Sequence, residues 1–130
     1  MKLNLTRISS LREVREEFSK EFPFLKIEFF TSAHKPGKGS SFSELYHSET
    51  ILSEINPSFK DQVLEFQPSD TVAHLEQKFQ KAGLPIQVFR KAGKIWLETI
   101  QTDHLSLEVQ NKMGKETTIP FRINPYTLFL

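Results

Sequence analysis

Apolar and polar positions in the first thirty residues alternate in two short stretches and recur with helical spacing between them. The alternating stretches, 3–5 and 25–29, predict half-buried strands. Helical spacing is seen at Leu11, Val14, Phe18 and Phe22. Ser10 and Glu13 have the spacing of a capping box, in which each side chain binds a backbone N–H left free by the first helical turn. The pattern therefore predicts a strand, a helix from residue 11 to 22, and a second strand.

The same pattern returns 61 positions further along the chain. Without a gap, Leu3 aligns with Leu64 and Phe18 aligns with Phe79, which predicts a second helix at 72–82. Thr71 aligns with Ser10 and so takes the capping position of the second helix. Any two amphipathic helices flanked by strands are somewhat alike, but here the loop lengths also agree. We therefore predict two copies of one unit. The first copy spans about 1–30, a connector spans 31–61, and the second copy, a hairpin and a C-terminal extension span 62–130.

Further local signals complete the predicted fold. Gly93 suits the turn of a hairpin, Thr102-Asp103 suits the start of a short helix, and Gly114 suits its end. Another helix is predicted from Ser41 to residue 55, and the apolar residues 126–130 are expected to dock on the domain. We predict a single α+β domain with one mixed β-sheet of about five or six strands and helices mainly on one face.

Composition and charge exclude several classes of function. The chain has 130 residues, which suffices for one domain with a continuous core. A formal charge of +1 provides no overall field that attracts nucleic acid or anionic lipid. Because there is no cysteine, disulfides, thiol nucleophiles and thiolate metal sites are excluded. No apolar run has the length of a signal peptide or a membrane span, so we expect a cytoplasmic protein that is not in a membrane.

Segments spread over nearly the whole chain carry a resemblance to a protein family. They are Phe22-Pro23-Phe24-Leu25-Lys26-Ile27-Glu28-Phe29-Phe30, the loop with His34, Lys35, Gly37, Gly39 and Ser40, Gln87-Val88-Phe89-Arg90-Lys91 with Gly93, Trp96-Leu97-Glu98-Thr99, Thr102-Asp103, Leu107, Gln110-Asn111 and Gly114-Lys115-Glu116. On these segments the chain resembles a family of small uncharacterised bacterial proteins. That family has no assigned activity, so the resemblance implies a coherent standalone domain and supplies no catalytic residues.

A loop rich in glycine and basic residues precedes the helix that is predicted to begin at Ser41. Its candidate ligand-binding residues are His34, Lys35, Gly37, Lys38, Gly39, Ser40 and Ser41. Backbone N–H groups, lysine side chains and a helix N-terminus together favour a phosphate or a carboxylate. The residue order matches neither a P-loop nor a dinucleotide-binding motif, and an ordinary connector is the alternative interpretation.

A second candidate surface lies on the predicted hairpin. It combines basic and aromatic side chains from Phe89, Arg90, Lys91, Lys94 and Trp96. Single-stranded nucleic acid binds such groups because its bases stack on aromatic rings, and proteins bind them too. The alternative is that Phe89 and Trp96 form a cross-strand pair of the core.

Catalytic and metal-binding patterns are weak in this sequence. The histidines, His34, His47, His74 and His104, lack the spacing of a helical metal site, so we predict no metal, cofactor or catalytic residue. We predict a non-enzymatic protein-interaction module. Its alternatives are a binding protein or enzyme for an anionic or phosphorylated small molecule at 34–41, and single-stranded nucleic-acid binding at 88–97. A protein partner, including a second copy in a homodimer, is favoured over nucleic acid, and no membrane partner is expected.

Overall fold

The computed structural model describes residues 1–30 and 47–118, which form strands and helices in alternation. In chain order they are β1 (Lys2–Leu5), α1 (Leu11–Glu21), β2 (Leu25–Phe29), α2 (Leu52–Ile55), β3 (Gln62–Glu65), α3 (Val72–Lys81), β4 (Ile86–Ala92), β5 (Ile95–Glu98) and α4 (Leu107–Thr118). A 3-10 turn at Ile100–Thr102 lies between β5 and α4. Within the described ranges, no helix combines the length and the apolar character that crossing a membrane requires.

The strands pair in two antiparallel sheets, which corrects the prediction of one mixed sheet. β1 pairs with β3, and β4 lies between β2 and β5 in the other sheet. In the register, Leu3 lies opposite Leu64 and Ile27 lies opposite Val88, so each of these two antiparallel ladders contains one pair of residues 61 positions apart. The α+β class is confirmed. The pairing differs because alternation specifies which side of a strand is buried and not which strand supplies its hydrogen bonds.

The helices predicted at 11–22 and 72–82 begin where their caps indicate. Ser10 Oγ accepts a hydrogen bond from Glu13 N–H at 3.1 Å, and Thr71 Oγ1 accepts one from His74 N–H at 3.1 Å. These side chains satisfy donors that the first turn of α1 and α3 leaves free. α1 packs against strands of both sheets, and α3 and α4 pack against β4. The helices therefore hold the two sheets together.

The hydrophobic core is one cluster in which phenylalanines cross between the two halves of the chain. The ring of Phe18 on α1 lies 6.1 Å from that of Phe66, which follows β3. The ring of Phe79 on α3 lies 6.1 Å from that of Phe29 on β2, edge to face. All four rings are buried. Each helix therefore packs on strands of its own half and also buries a ring against a residue of the other half.

Backbone hydrogen bonds outside the sheets also correspond in the two halves. The first residues of α1 and α3 donate to the segments before α2 and α4, and the first residues of α2 and α4 donate back. The matched bonds are Leu11 N–H to Thr50 O with Val72 N–H to Leu105 O, and Leu52 N–H to Ser9 O with Leu107 N–H to Asp70 O. Isolated bridges between Ser10 and Ile51 and between Thr71 and Ser106 join the same segments. α2 and α4 thus occupy corresponding places, at a separation of 55 residues and not 61.

Two predicted helix boundaries need correction. Of the helix predicted from Ser41 to residue 55, residues 41–46 lie outside the described ranges, residues 47–50 form a turn, and helix begins only at Leu52. The helix predicted to begin at Thr102-Asp103 begins at Leu107, where Ser106 Oγ accepts a hydrogen bond from Val109 N–H. Residues 103–106 instead pair with the start of α3, and local cap propensity does not anticipate that contact.

Gly114 lies inside α4 and does not end it. A Cβ atom at this position would lie 2.9 Å from Phe24 Cβ, 3.0 Å from Phe24 O and 3.1 Å from Arg90 Cγ. The glycine is therefore required by the close approach of α4 to β4 and to the residue before β2. A sequence pattern shows a glycine but not what approaches it.

Gly114→Ala is expected to destabilise the protein although alanine is the better helix former. Alanine gains about 1 kcal/mol in intrinsic helix propensity, while forcing a methyl group into a packed contact costs about 1–3 kcal/mol. Urea unfolding followed by circular dichroism measures the difference. Lys115→Ala, at the exposed neighbouring position, is the control. A Gly114→Ala protein more stable than wild type would contradict the close contact.

Phe18→Ala and Phe79→Ala are each expected to lower the free energy of unfolding by about 3–5 kcal/mol. Because the rings cross between the halves, each variant is expected to unfold in a single transition. Thermal unfolding by calorimetry and by circular dichroism measures both properties. Ile8→Ala, at a residue 77% exposed, is the control. Two separate transitions in either phenylalanine variant would show that the halves have separate cores.

Candidate functional site

One side of the three-stranded sheet faces away from the core cluster. Leu25, Ile27 and Val88 point into the core, so the residues between them and their cross-strand partners point outward. We call this side the outer face: Lys26 and Glu28 on β2, Gln87, Phe89 and Lys91 on β4, and Trp96 and Glu98 on β5. The register brings side chains from three strands to one side of the sheet, where Gln87 and Phe89 are buried and the others are partly or fully exposed.

A cluster of lysines and aromatic rings lies at the middle of the outer face. Lys26 Nζ lies 5.0 Å from the ring centroid of Trp96 and 5.4 Å from that of Phe89. Lys91 Nζ lies 5.9 Å from the Trp96 centroid. These distances are within the range in which an ammonium group is attracted to the electron-rich face of a ring. Phe89 is buried and Trp96 is half-buried, so Trp96 is the aromatic group that a partner can reach.

The structure separates the five hairpin residues named from the sequence. Phe89, Lys91 and Trp96 share the outer face, whereas Arg90 alternates to the opposite side. There Arg90 donates to Gln110 Oε1 at 2.8 Å and approaches Met113 Sδ at 3.7 Å, both on α4. Lys94 is exposed in the turn beside Gly93, whose φ of 64° is the positive value that such a turn needs. Arg90 therefore anchors α4.

A groove borders the cluster on the side of α1, and the sequence analysis missed it. It has a volume of about 440 Å³ and is lined by Arg15, Glu16, Ser19, Pro23, Lys26, Glu28 and Trp96. Arg15 donates to both carboxylate oxygens of Glu28, at 3.0 and 2.9 Å, and Lys26 Nζ lies 3.4 Å from Glu28. Lys26 and Glu28 occupy the outward positions of β2, which is the one sequence signal that pointed to them.

Two polar groups near this site are buried with part of their hydrogen-bonding capacity unused. Gln87 is fully buried, and its Nε2 donates to Val88 O at 3.0 Å. Within the described residues, Gln87 Oε1 and Arg90 Nε have no hydrogen-bond partner. Burying an unpaired polar group lowers the free energy of unfolding. The apolar contacts and the remaining hydrogen bonds of the sheet compensate for this cost.

Two other kinds of site are a metal site and the predicted anion-binding loop. Over 1–30 and 47–118, no three His, Asp or Glu residues lie close enough together to hold a metal ion. The candidate anion-binding residues, His34, Lys35, Gly37, Lys38, Gly39, Ser40 and Ser41, lie outside the described residues, as do the apolar residues 126–130. The site that the structure does present is the outer face.

Comparison of the chain with models of known families, with curated proteins and with solved structures gives no match. The resemblance to a family of small bacterial proteins therefore stays a prediction. Function has to be argued from the outer face itself.

The contact between Lys26 and Trp96 is expected to contribute about 0.5–1 kcal/mol to stability, as cation–π pairs do at partly exposed positions. A double-mutant cycle with Lys26→Met, Trp96→Leu and the combined variant isolates this coupling free energy from the loss of burial. Urea unfolding followed by far-ultraviolet circular dichroism measures it, because Trp96 is the single tryptophan and its fluorescence is lost in two variants.

A matched cycle with Lys112→Met and Trp96→Leu serves as the control, because Lys112 lies on the exposed side of α4. Zero coupling in the Lys26 cycle would contradict the contact between its ammonium group and the ring.

Proposed function

We propose that this chain is a non-enzymatic protein-interaction module that binds an extended segment of its partner across the outer face. The half-buried ring of Trp96, held between Lys26 and Lys91, is the observation that carries the proposal. Tryptophan is enriched among the residues that dominate binding energy at protein interfaces, above all where surrounding contacts exclude water. The groove beside it offers a place for the partner's side chains.

The charges around Trp96 indicate what the partner carries. Lys26 and Lys91 lie at the ring, and exposed Lys94 lies at the end of the same hairpin. Glu28 pairs with Arg15 at 2.9 Å and with Lys26 at 3.4 Å, so these three side chains together carry one positive charge. A segment with acidic side chains next to an apolar one therefore complements this surface.

The burial and the contacts of the aromatic rings favour a protein partner over single-stranded nucleic acid. Bases bind to such proteins by stacking on exposed aromatic faces. Phe89 is only 2% exposed, and Lys26 and Lys91 lie over the ring of Trp96. Arg90, a cation that a phosphate backbone would use, is directed to α4. Few stacking faces are left for a base.

We also propose that the two halves are copies of one ancestral unit that includes α2 and α4 as well as the strand–helix–strand elements. Support comes from the register, in which each ladder between the halves contains one pair of residues 61 positions apart, and from the corresponding hydrogen bonds at the starts of α2 and α4. In this proposal the hairpin extension β5, which has no described counterpart in the first half, is the feature that carries the interaction surface.

Peptides selected from a random display library on the full chain are expected to be acidic and to bind at the outer face. Trp96→Ala is expected to weaken the selected peptides roughly tenfold or more, as substitution of an interface tryptophan does. Lys26→Ala is expected to weaken them and to reduce the dependence of affinity on salt. Isothermal titration calorimetry measures both effects.

Lys112→Ala on the exposed side of α4 is the control and is expected to leave binding unchanged. Peptides whose affinity is the same for wild type and Trp96→Ala would overturn the proposal. Binding of an oligothymidylate at low salt that is lost in Trp96→Ala would replace it with nucleic-acid binding.

A further inference from the structure

The outer edge of β5 presents unused backbone hydrogen-bonding groups. Thr99 N–H donates to Val88 O on β4, and Leu97 lies opposite Arg90 in the same ladder. Because backbone groups alternate in direction along a strand, the N–H and C=O groups of Trp96 and Glu98 point away from β4. β5 is at the edge of its sheet, and no hydrogen bond from these four groups to another described residue is present.

The side chains on this edge are more apolar than an edge strand ordinarily is. Ile95 is 60% exposed and Leu97 is 38% exposed, and both project from the side opposite to Trp96. Proteins usually protect an exposed edge with charges, proline or a bulge, because an unprotected edge pairs with another strand. Here Glu98 is the only charged residue of β5, and Lys94 lies in the turn just before it.

The side chains of this edge are complementary to those of a second, antiparallel copy of the same edge. If two copies of β5 run antiparallel with Trp96 opposite Trp96, Ile95 lies opposite Leu97 on the reverse side of the sheet, twice. Lys94 of each copy, in the turn just before β5, then lies near Glu98 at the end of the other copy's strand. Apolar side chains in direct cross-strand positions stabilise a sheet, and opposite charges near each other add to this. Shifting one copy by two residues in either direction separates Lys94 from Glu98. The register about Trp96 therefore brings together the opposite charges on one side of the strand and the apolar side chains on the other.

We propose that the partner of the β5 edge is a second copy of this chain, paired antiparallel about Trp96. The dimer has a two-fold axis through the Trp96 pair, which is the closed symmetry usual in homodimers. Its backbone hydrogen bonds join the two three-stranded sheets into one sheet of six strands. The two outer faces then form one continuous surface with both Trp96 rings at its centre. This inference does not rest on the proposed binding of another protein.

Charge exchange between Lys94 and Glu98 tests both the dimer and its register. Sedimentation equilibrium of the full chain is expected to show a monomer–dimer equilibrium with a dissociation constant on the order of 10–100 µM, because only short strands pair. Lys94→Glu and Glu98→Lys each place like charges near each other at two positions of the dimer. Each is expected to weaken association roughly tenfold, since the effect occurs twice.

Two further experiments restore opposite charges in the dimer and so test this register specifically. The variant with both Lys94→Glu and Glu98→Lys is expected to dimerise like wild type, because each charge again faces its opposite. An equimolar mixture of the two single variants is expected to form a heterodimer, in which the chain with two acidic side chains on this edge faces the chain with two basic ones. Lys112→Glu, on the exposed side of α4, is the control for a change in net charge and is expected to dimerise normally. Circular dichroism checks that every variant is folded.

Three results would overturn the proposal. Wild-type protein that stays monomeric at concentrations tenfold above the expected dissociation constant would show that the edge does not pair. Single variants that dimerise as strongly as wild type would place the interface elsewhere. Monomeric single variants whose mixture also stays monomeric would exclude the register about Trp96.

Discussion

The packing of phenylalanine rings across the two halves is the interaction on which the rest of this structure depends. Phe18 of the first half contacts Phe66 of the second, and Phe79 of the second contacts Phe29 of the first. Each ring buries a large apolar area, so a half that folded alone would leave part of the apolar side of its helix in water. Strand pairing between the halves accompanies this exchange, because the strands that carry or border these rings are also each other's hydrogen-bonding partners.

The outer face exists because this core uses only one side of the three-stranded sheet. With Leu25, Ile27 and Val88 committed to the core, alternation directs Lys26, Phe89 and their neighbours outward. Trp96 reaches the same face because β5 pairs with β4 and places Trp96 opposite Lys91. Arg15 and Glu28 then fix one border of the groove through a short ion pair. The strand register therefore determines both which side chains enter the core and which lie on the outer face.

Sequence reasoning found part of the candidate site. It named Phe89, Lys91 and Trp96 because aromatic and basic residues are close together in the hairpin, and the structure places these three on one face. It grouped Arg90 with them, although alternation turns that side chain toward Gln110. It missed Lys26 and Arg15, which come from elements more than sixty residues earlier in the chain. Contacts between distant segments depend on strand register, and a single sequence contains no measure of register.

The bounds of α1 and α3 follow from the sequence alone. The spacing of apolar residues and the caps at Ser10 and Thr71 specify these two helices to within a residue, because both signals lie close together along the chain. Tertiary contacts determine which strands pair, where α2 and α4 begin, why Gly114 lies inside a helix, and where the hairpin side chains point. Each of these depends on a surface that approaches from a distant part of the chain: β3 for β1, Phe24 for Gly114, and α4 for Arg90.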